Sequence, residues 1–336
     1  MAKPLNFVVL GGAGFIGSAF VRELNRRGIR PVVFDALTYA GRLENLKETD
    51  HVFVKGNVND VKALDSLFSS HPPSVVVNFS AETHVDRSIY SPKDFVETNV
   101  LGVINVLEAS RKYDFNYVHI STDEVYGDEE CADEDSPLRP SSPYSASKAS
   151  ADLFVKAYVR TYGVKAIIVR PSNNYGPRQH VEKLIPKVII RTLLNLPIPI
   201  YGDGKQERDW IFVEDTARII ADLIDKSQWK GEIYNLPGGN VYRNIDVVKT
   251  IGEIMGKEVK IRYVEDRPGH DRRYCMRTSL RYEVTPLREG LRRTVEWYLN
   301  NRWWWEPLIN DNFFKEDVPW KVPNKASDGV NVATGR

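Results

Sequence analysis

The sequence GGAGFIG at residues 11–17 decides the fold of this chain. An apolar run at residues 6–10 predicts a β-strand before it, and the spacing of residues 14–27 predicts a helix after it. Glycines at such a turn leave room for a ligand at the helix N-terminus, where unpaired amides attract anions. Asp35 ends the next predicted strand, 18 residues after Gly17, where a carboxylate can bind a ribose diol. The stretch therefore predicts a dinucleotide-binding turn.

Short apolar runs alternate with helical patterns through the first 170 residues. Strands are predicted at 6–10, 31–34, 51–54, 74–79, 117–121 and 166–169, and helices at 14–27, 61–69, 95–113 and 145–162. This alternation predicts an α/β fold, a Rossmann doubly wound parallel sheet with helices on both faces. Later loops rich in Pro, Gly and Asn predict a smaller C-terminal α/β substrate-binding lobe. We expect a cofactor domain at 1–170, a lobe mainly at 171–310 with some segments returning to the first sheet, and a tail at 311–336.

Composition and charge exclude several classes of function. The 336 residues carry 46 Lys and Arg against 45 Asp and Glu, a balance that argues against nucleic acid or an anionic membrane as partner. No apolar run is long enough to span a membrane, and the N-terminus lacks a signal-peptide core. We expect Cys131 and Cys275 to be free thiols, since their spacing fits neither a disulfide framework nor a metal site. These features predict a cytoplasmic enzyme or binding protein with no metal centre.

The acid after the glycine turn also selects the dinucleotide. Asp35 would accept hydrogen bonds from the ribose of NAD but would repel the 2'-phosphate of NADP. A glycine-rich turn without a ligand is the alternative interpretation of GGAGFIG alone. Strand, glycines, helix, second strand and acid occur together here, and this combination favours NAD as the cofactor.

Tyr144 and Lys148 form a candidate catalytic pair. They lie four residues apart at the start of a predicted helix, so they face the same side. A tyrosine with an ordinary pKa of about 10 becomes a usable base when a lysine ammonium and a positive nicotinamide ring lie nearby. The alternative is a pair on an ordinary helix surface. The position beyond a dinucleotide turn favours the catalytic interpretation.

Two adjacent carboxylates follow the fifth predicted strand. The sequence STDEVYGD at 121–128 places Asp123 and Glu124 beside the hydroxyl of Thr122. Close carboxylates disfavour double ionisation, so one can act as an acid while the other acts as a base. The alternative is a solvated loop, because more acidic residues follow.

Several motifs together resemble one family. GGAGFIG and YSASK (144–148) resemble the extended short-chain dehydrogenase/reductases, which act mostly on nucleotide sugars. The paired acids are similar to those of the 4,6-dehydratases in that family. Further stretches with this resemblance are SAETHVDRS (80–88), FVETNVLG (95–102), NNYGPRQHVEKLIP (173–186), YGDGKQERDWIFVED (201–215) and RPGHDRRY (267–274). The resemblance extends to about Trp305.

The resemblance implies dehydration of dTDP-glucose to dTDP-4-keto-6-deoxy-glucose, with hydride taken from C4 and returned to C6. Tyr144 would take the proton of the C4 hydroxyl, and Thr122 would hold that hydroxyl. The C4 ketone acidifies the C5 proton, which Glu124 would remove while Asp123 protonates the departing C6 hydroxyl. The cofactor is regenerated within one turnover, so we expect it to stay bound.

The resemblance also implies binding residues and a homodimer paired through helices 95–113 and 145–162. The expected NAD-binding residues are Gly11, Gly14, Phe15, Ile16, Gly17, Asp35, Leu37, Thr38, Asn57, Val58, Phe79, Ser80, Ala81, Thr83, Thr98, Tyr144, Lys148 and Asn174. The expected nucleotide-sugar-binding residues are Thr83, Thr122, Asp123, Glu124, Asn173, Lys183, Leu184, Pro199, Tyr201, Arg208, Asn244, Arg267 and His270. Guanidinium forks suit Arg208 and Arg267 to phosphate, although each basic residue alone is more often a surface charge.

The sequence departs from the family pattern at four positions. Asn57 replaces an acid expected at the adenine, Pro237 and Val241 replace Gly and Glu, and Arg277 replaces an acid. These changes bear on base and sugar specificity, so UDP-glucose is an alternative substrate. A 4-epimerase or a decarboxylase would have no use for the paired acids. An NAD-binding regulatory protein without catalysis would have no use for the Tyr-Lys pair.

Overall fold

A seven-stranded parallel sheet lies at the centre of the computed structural model, which describes residues 5–239 and 241–321. The strands are β1 (Phe7–Leu10), β2 (Val32–Asp35), β3 (Val52–Lys55), β4 (Val75–Asn78), β5 (Asn116–Ile120), β6 (Ala166–Pro171), β7 (Asn173–Tyr175), β8 (Ile198–Tyr201), β9 (Glu207–Phe212), β10 (Lys230–Leu236), β11 (Val241–Arg243) and β12 (Ile261–Val264). The order across the main sheet is β10-β6-β5-β4-β1-β2-β3. Each neighbouring pair in it is parallel, and residues 8–10 of β1 pair with 32–34 of β2.

Helices cover both faces of this sheet. They are α1 (Phe15–Arg26), α2 (Val61–Ser70), α3 (Val85–Tyr90), α4 (Pro92–Val96), α5 (Gly102–Tyr113), α6 (Pro143–Tyr162), α7 (Leu184–Leu193), α8 (Val213–Lys226), α9 (Asn244–Met255), α10 (Leu287–Asn300), α11 (Arg302–Trp305) and α12 (Asn312–Lys315). One π turn (Glu97–Leu101) joins α4 to α5. Short 3-10 turns lie at Leu43–Leu46, Asp123–Tyr126, Glu306–Leu308 and Pro319–Lys321. Across the described ranges, no helix has the length and apolar character needed to cross a membrane.

The core divides according to the alternation of side chains along β1. Phe7 and Val9 point into one apolar layer, which includes α1 and α8. Val8 and Leu10 point into the opposite layer with α2, α5 and α6. Successive residues of a strand face opposite sides, so a continuously apolar strand implies a sheet covered on both faces. The predicted Rossmann doubly wound parallel sheet is confirmed, with element boundaries mostly shifted by one to three residues.

The chain after β6 contributes to two places. β10 pairs with β6 at the edge of the main sheet, and α8 packs against α1. Two small sheets, of order β11-β9-β7 and β12-β8, surround a separate apolar core with α7, α9 and α10. The last described segment buries Phe314 and Trp320, whereas residues 322–336 of the expected tail lie outside the described residues.

The expectation of free thiols is wrong. Cys131 and Cys275 form a disulfide across a sequence separation of 144. Backbone pairing brings them together, because the Ala132 amide donates to the Cys275 carbonyl (2.9 Å) and the Arg277 amide donates to the Ala132 carbonyl (2.7 Å). Ala132 and Met276 form the corresponding parallel bridge. This pairing joins two loops that are distant along the chain, so the spacing of the cysteines did not indicate it.

Candidate active site

A cavity of about 420 Å³ runs along the carboxyl ends of the main-sheet strands and continues into the second core region. Its walls include the glycine turn after β1, the turn after β5, the start of α6, and residues of β7, β8 and β9. Ligands of open α/β sheets bind at this edge, and the volume is in the range of small-molecule sites.

The glycine turn forms the floor of the cavity at one end. Gly11 has a φ of +70°, and a Cβ on it would lie 2.5 Å from the Ser80 nitrogen. A Cβ on Gly17 would lie 2.3 Å from the Gly11 carbonyl oxygen, so α1 can pack this closely only without a side chain there. Beside Gly14 the space is open, because a Cβ there would meet only that same carbonyl within 4 Å. The open space at the start of α1 fits a pyrophosphate.

Asp35 lies at the end of β2 and supports this turn. Its carboxylate accepts hydrogen bonds from the amides of Ala13 (2.9 Å) and Leu37 (2.8 Å), one on each oxygen. Burial raises the pKa of Asp35, and these two hydrogen bonds oppose that rise. A carboxylate oxygen has a second lone pair, so the group retains capacity for a ribose diol. The turn and the acid together fit NAD.

Thr122, Asp123 and Glu124 lie where β5 ends. The Thr122 hydroxyl accepts the Glu124 amide (3.3 Å) and donates to Asp123 Oδ1 (3.1 Å), which caps the 3-10 turn Asp123–Tyr126. Among the described residues Asp123 Oδ2 is buried without a hydrogen-bond partner. This arrangement turns both carboxylates toward the cavity.

The two acids have different electrostatic surroundings. Burial raises the pKa of Asp123 well above its ordinary value, and the neighbouring charge of Glu124 raises it further. Burial also raises the pKa of Glu124, but Arg267, Arg208 and Lys183 oppose the rise. Asp123 is therefore suited to be the proton donor and Glu124 the base.

Tyr144 and Lys148 lie on the first turns of α6. The helix begins with a capping box between Ser142 and Ser145, which places both side chains in the cavity wall. Lys148 Nζ donates to the Ile120 carbonyl (2.5 Å), and burial lowers the pKa of Lys148 to about 8.

The phenol of Tyr144 has an environment that resists ionisation. Burial and the charges of Glu124 and Asp123 raise its pKa, while a hydrogen bond with Thr122 lowers it. Lys148 Nζ donates to the Ile120 carbonyl, and the charges that act most strongly on the phenol are negative. The phenolate therefore needs additional positive charge close by, such as an oxidised nicotinamide supplies.

A cluster of polar side chains lines the far end of the cavity. Asp86 accepts hydrogen bonds from Arg267 Nη1 (2.9 Å) and from the Tyr201 hydroxyl (3.0 Å). Lys183 Nζ donates to the Thr83 carbonyl (2.9 Å), and burial lowers the pKa of Lys183. Buried amide oxygens without a hydrogen-bond partner within the described part of the chain belong to Asn173, Asn174, Gln179 and Asn244. These groups can recognise a polar, anionic ligand.

Residues 7–236 match the model of the NAD dependent epimerase/dehydratase family. The chain belongs to this family. It is 43% identical to the dTDP-glucose 4,6-dehydratase of Xanthomonas campestris pv. campestris (strain B100), over 93% of this chain and 98% of the relative. It is also similar to the crystal structure of DesIV, a dTDP-glucose 4,6-dehydratase from Streptomyces venezuelae with NAD bound (TM-score 0.86, 41% identity, 90% of this chain and 100% of DesIV). The UDP-glucose 4-epimerase of Thermus thermophilus, in complex with NAD, has a TM-score of 0.81 at 31% identity, covering 88% of this chain and 100% of that one.

The expected resemblance to the nucleotide-sugar branch is confirmed, and the cavity of this family member contains nearly every predicted site residue. The predicted residues that line it are Gly11, Gly14, Phe15, Ile16, Gly17, Asp35, Thr38, Asn57, Val58, Phe79, Ser80, Ala81, Thr83, Thr98, Thr122, Asp123, Glu124, Tyr144, Lys148, Asn173, Asn174, Lys183, Leu184, Pro199, Tyr201, Arg208, Asn244, Arg267 and His270. Leu37 does not line the cavity. Its side chain packs against the main core, and its amide holds Asp35.

Sequence reasoning missed several cavity residues. They include Glu82, His84, Asp86, Arg178, Gln179, His180, Glu182, Gln206, Tyr274 and Trp304. Most lie inside motifs that carried the family resemblance, such as SAETHVDRS and RPGHDRRY, and that position was the available signal. Tyr274, for example, donates to Asp271 (2.7 Å) and lies 3.5 Å from Glu124 Oε2.

Proposed function

We propose that this chain catalyses the NAD-dependent dehydration of dTDP-glucose to dTDP-4-keto-6-deoxy-glucose. The observation that carries this proposal is the pair of buried Asp123 and partly buried Glu124, whose surroundings favour one protonated and one ionised carboxyl. The dehydratase relatives and DesIV support the same reaction. An oxidation alone would need only Tyr144 and Lys148, whereas loss of water needs an acid and a base.

The residues of this chain have separate roles in the proposed reaction. NAD, when bound, supplies the acceptor for the two electrons that leave C4 and later returns them to C6. Tyr144 accepts the C4 hydroxyl proton while Thr122 holds that oxygen and Lys148 stabilises the phenolate. Glu124 then takes the C5 proton, and Asp123 gives its proton to the C6 hydroxyl, which leaves as water. Glu124 returns its proton to C5 as C6 is reduced. The proton taken by Tyr144 replaces the one that Asp123 gave to the departing water, so the residues regain their starting states.

We assign the cofactor and substrate to opposite ends of the cavity. The pyrophosphate of NAD would lie at Gly14 and the start of α1, with the adenosine ribose at Asp35. The diphosphate of the sugar nucleotide would meet Arg208, Arg267 and Lys183. Arg267 is ion-paired with Asp86, and its buried Nε has no hydrogen-bond partner within the described residues. Pro199 and Tyr201 would flank the base.

We also propose the domain division expected from the sequence, with an NAD-binding domain at 1–170 and a nucleotide-sugar lobe mainly at 171–310. The cavity supports it, since the glycine turn and Asp35 come from the first range and Arg208 and Arg267 from the second. β10 and α8 are the segments of the second range that pack with the main sheet and α1.

We propose a homodimer formed through α5 and α6 and their flanking turns. Large apolar side chains are exposed there, and such a surface suits burial against a second copy. They are Val96, Leu101, Leu153, Phe154 and Tyr162. A cytoplasmic location is part of the proposal, because NAD and nucleotide sugars are cytoplasmic metabolites. Disulfides are uncommon in that compartment, so thiol labelling of freshly opened cells will show whether Cys131 and Cys275 are paired there.

The proposed reaction is tested by incubating the protein with dTDP-glucose and, separately, with UDP-glucose. We expect a 4-keto-6-deoxy product from dTDP-glucose with no net accumulation of reduced nicotinamide, and no product from the matched variant Tyr144→Phe. Faster turnover of UDP-glucose would overturn the base assignment. Interconversion of glucose and galactose without loss of water would identify a 4-epimerase instead.

A further inference from the structure

Arg178 has an unusual backbone conformation in the wall of the cavity. It follows β7 and has a φ of +69°, in the left-handed region that non-glycine residues rarely adopt. Within residues 5–239 and 241–321 its guanidinium makes no hydrogen bond and no ion pair, although it lines the cavity. Such conformations cost free energy and are concentrated at ligand sites. A strained backbone that presents an unpaired cation to a cavity indicates an anionic ligand.

A second partly buried arginine lies near the first. Arg22, on α1, donates to the Asn45 carbonyl (2.7 Å) and to the Ser18 hydroxyl (3.3 Å). Burial lowers the pKa of Arg22 to about 9, and the charge of Arg178 contributes to that lowering. Burial likewise lowers the pKa of Arg178, opposed by the charges of two carboxylates, Glu48 and Glu214. Neither carboxylate forms an ion pair with Arg178, so positive charge is left in excess beside the start of α1.

Aromatic residues from α10 and α11 pack against Arg178 and the wall at this end of the cavity. The Arg178 guanidinium lies 5.2 Å from the Trp297 ring, which in turn contacts the Trp304 ring edge-on at 5.2 Å. Trp304 lines the cavity, and its Nε1 donates to Asn45 Oδ1 (2.8 Å). Asn45 Nδ2 donates to the Ala13 carbonyl in the glycine turn (2.8 Å). The C-terminal helices are thereby tied to the loop that forms the floor of the cofactor site.

We propose that Arg178 binds the pyrophosphate of NAD and that Arg178, Trp297 and Trp304, here named the cofactor roof, retain the dinucleotide between turnovers. The start of α1 supplies amides from one side of the pyrophosphate, and a guanidinium fork from the other side completes its hydrogen bonding. The excess positive charge of Arg178 and Arg22 is offset when two phosphate charges enter. The proposal rests on NAD as the cofactor and does not depend on the dehydration step.

The test compares Arg178→Asn with Arg178→Lys and with the control Arg26→Gln. Asparagine tolerates the left-handed conformation and removes the charge, and lysine keeps the charge without the fork. Arg26 is an exposed residue of α1 outside the cavity wall. Dissociation constants for NAD, ADP and adenosine are measured by calorimetry, and bound NAD is measured after purification. We expect Arg178→Asn to weaken the binding of NAD and of ADP roughly 10- to 100-fold and to change the dissociation constant of adenosine by less than about 2-fold.

The outcomes separate a pyrophosphate contact from a purely structural role. Unchanged affinity for NAD in Arg178→Asn, or equal losses for ADP and adenosine, would overturn the assignment. Retention of NAD by Arg178→Asn through gel filtration, at the level of the Arg26→Gln control, would overturn the role of the roof. Unfolding midpoints measured without nucleotide show that each variant is folded. None of these measurements uses dTDP-glucose. The test of Arg178 can therefore succeed or fail independently of whether the protein dehydrates dTDP-glucose.

Discussion

Replacing Glu124 with glutamine should separate the two halves of the proposed reaction. The change preserves the shape of the side chain but leaves a group that cannot take a proton from C5. Loss of a general base typically costs 10²- to 10⁴-fold in rate, or about 3 to 5 kcal/mol of barrier. Tyr144, Thr122 and Lys148 are unchanged, so oxidation at C4 should continue. We expect water loss to fall by that factor and C4 oxidation to change by less than about tenfold.

Single-turnover experiments with dTDP-glucose in deuterated water provide the assay. Absorbance of reduced nicotinamide reports the state after C4 oxidation, and mass spectrometry reports both deuterium at C5 and loss of water. In Glu124→Gln the absorbance should rise and persist, with little deuterium at C5. Glu129→Gln is the matched control, because that carboxylate lies in the same loop, ion-pairs with Arg139 and does not line the cavity.

Two results would contradict this assignment of roles. Dehydration at the unaltered rate would show that another group removes the C5 proton. Equal losses of C4 oxidation and dehydration would show that Glu124 serves the oxidation, for instance by orienting the sugar. Asp123→Asn provides a further comparison, since it should retain deuterium exchange at C5 while slowing departure of the C6 hydroxyl.

Three further predictions concern other parts of the molecule. In Glu124→Gln, the rate of C4 oxidation should decrease as the pH rises through about 8, because Lys148 then loses the proton that lets it stabilise the phenolate of Tyr144. Stopped-flow absorbance measured across this pH range will show the decrease. A rate that does not change there would exclude this role of Lys148. Asp35→Ser should weaken the binding of NAD by about tenfold or more and reduce the preference for NAD over NADP, because it removes the acceptor for the ribose hydroxyls and the charge that repels a 2'-phosphate. Binding titrations with both dinucleotides measure this. Cys131→Ser should lower the free energy of unfolding by about 2 to 4 kcal/mol, because the disulfide closes a long loop. Denaturant unfolding measures this free energy, and added reductant should destabilise the parent protein but not this variant.

The main sheet could be predicted from the sequence because its signals are local. Each of β1 to β6 is an apolar run, and the glycine turn marks where the first strand meets the first helix. The π turn Glu97–Leu101 has no such signal. The sequence predicted one helix over 95–113, whereas the structure has the end of α4, this π turn and then α5 over that range. Strand β10 returns to β6 from far along the chain, and its place depends on pairing between distant residues.

The same distinction applies to the site. Thr122, Asp123 and Glu124 are consecutive, and a short motif was enough to predict them together. The cluster at Asp86 was missed, because Arg267 and Tyr201 reach it across sequence separations of 181 and 115 residues. Long-range pairs of this kind follow from the packing of the second core region against the main sheet, which periodicity does not describe.

The opposite roles of Asp123 and Glu124 depend on strand β9 as well as on their own turn. Successive residues of a strand point to opposite sides, and Arg208 and Asp209 are successive residues of β9. The negative charge of Asp209 raises the pKa of Asp123, whereas the positive charge of Arg208 lowers the pKa of Glu124. Arg208 also acts weakly on Asp123, but burial and the two neighbouring carboxylates outweigh it. Oxidation at C4 uses Thr122, which follows β5, and residues of α6, while the division of acid and base depends on a strand from the second half of the chain. Substitutions in β9 should therefore impair loss of water more than oxidation, because they change how the two acids share their protons.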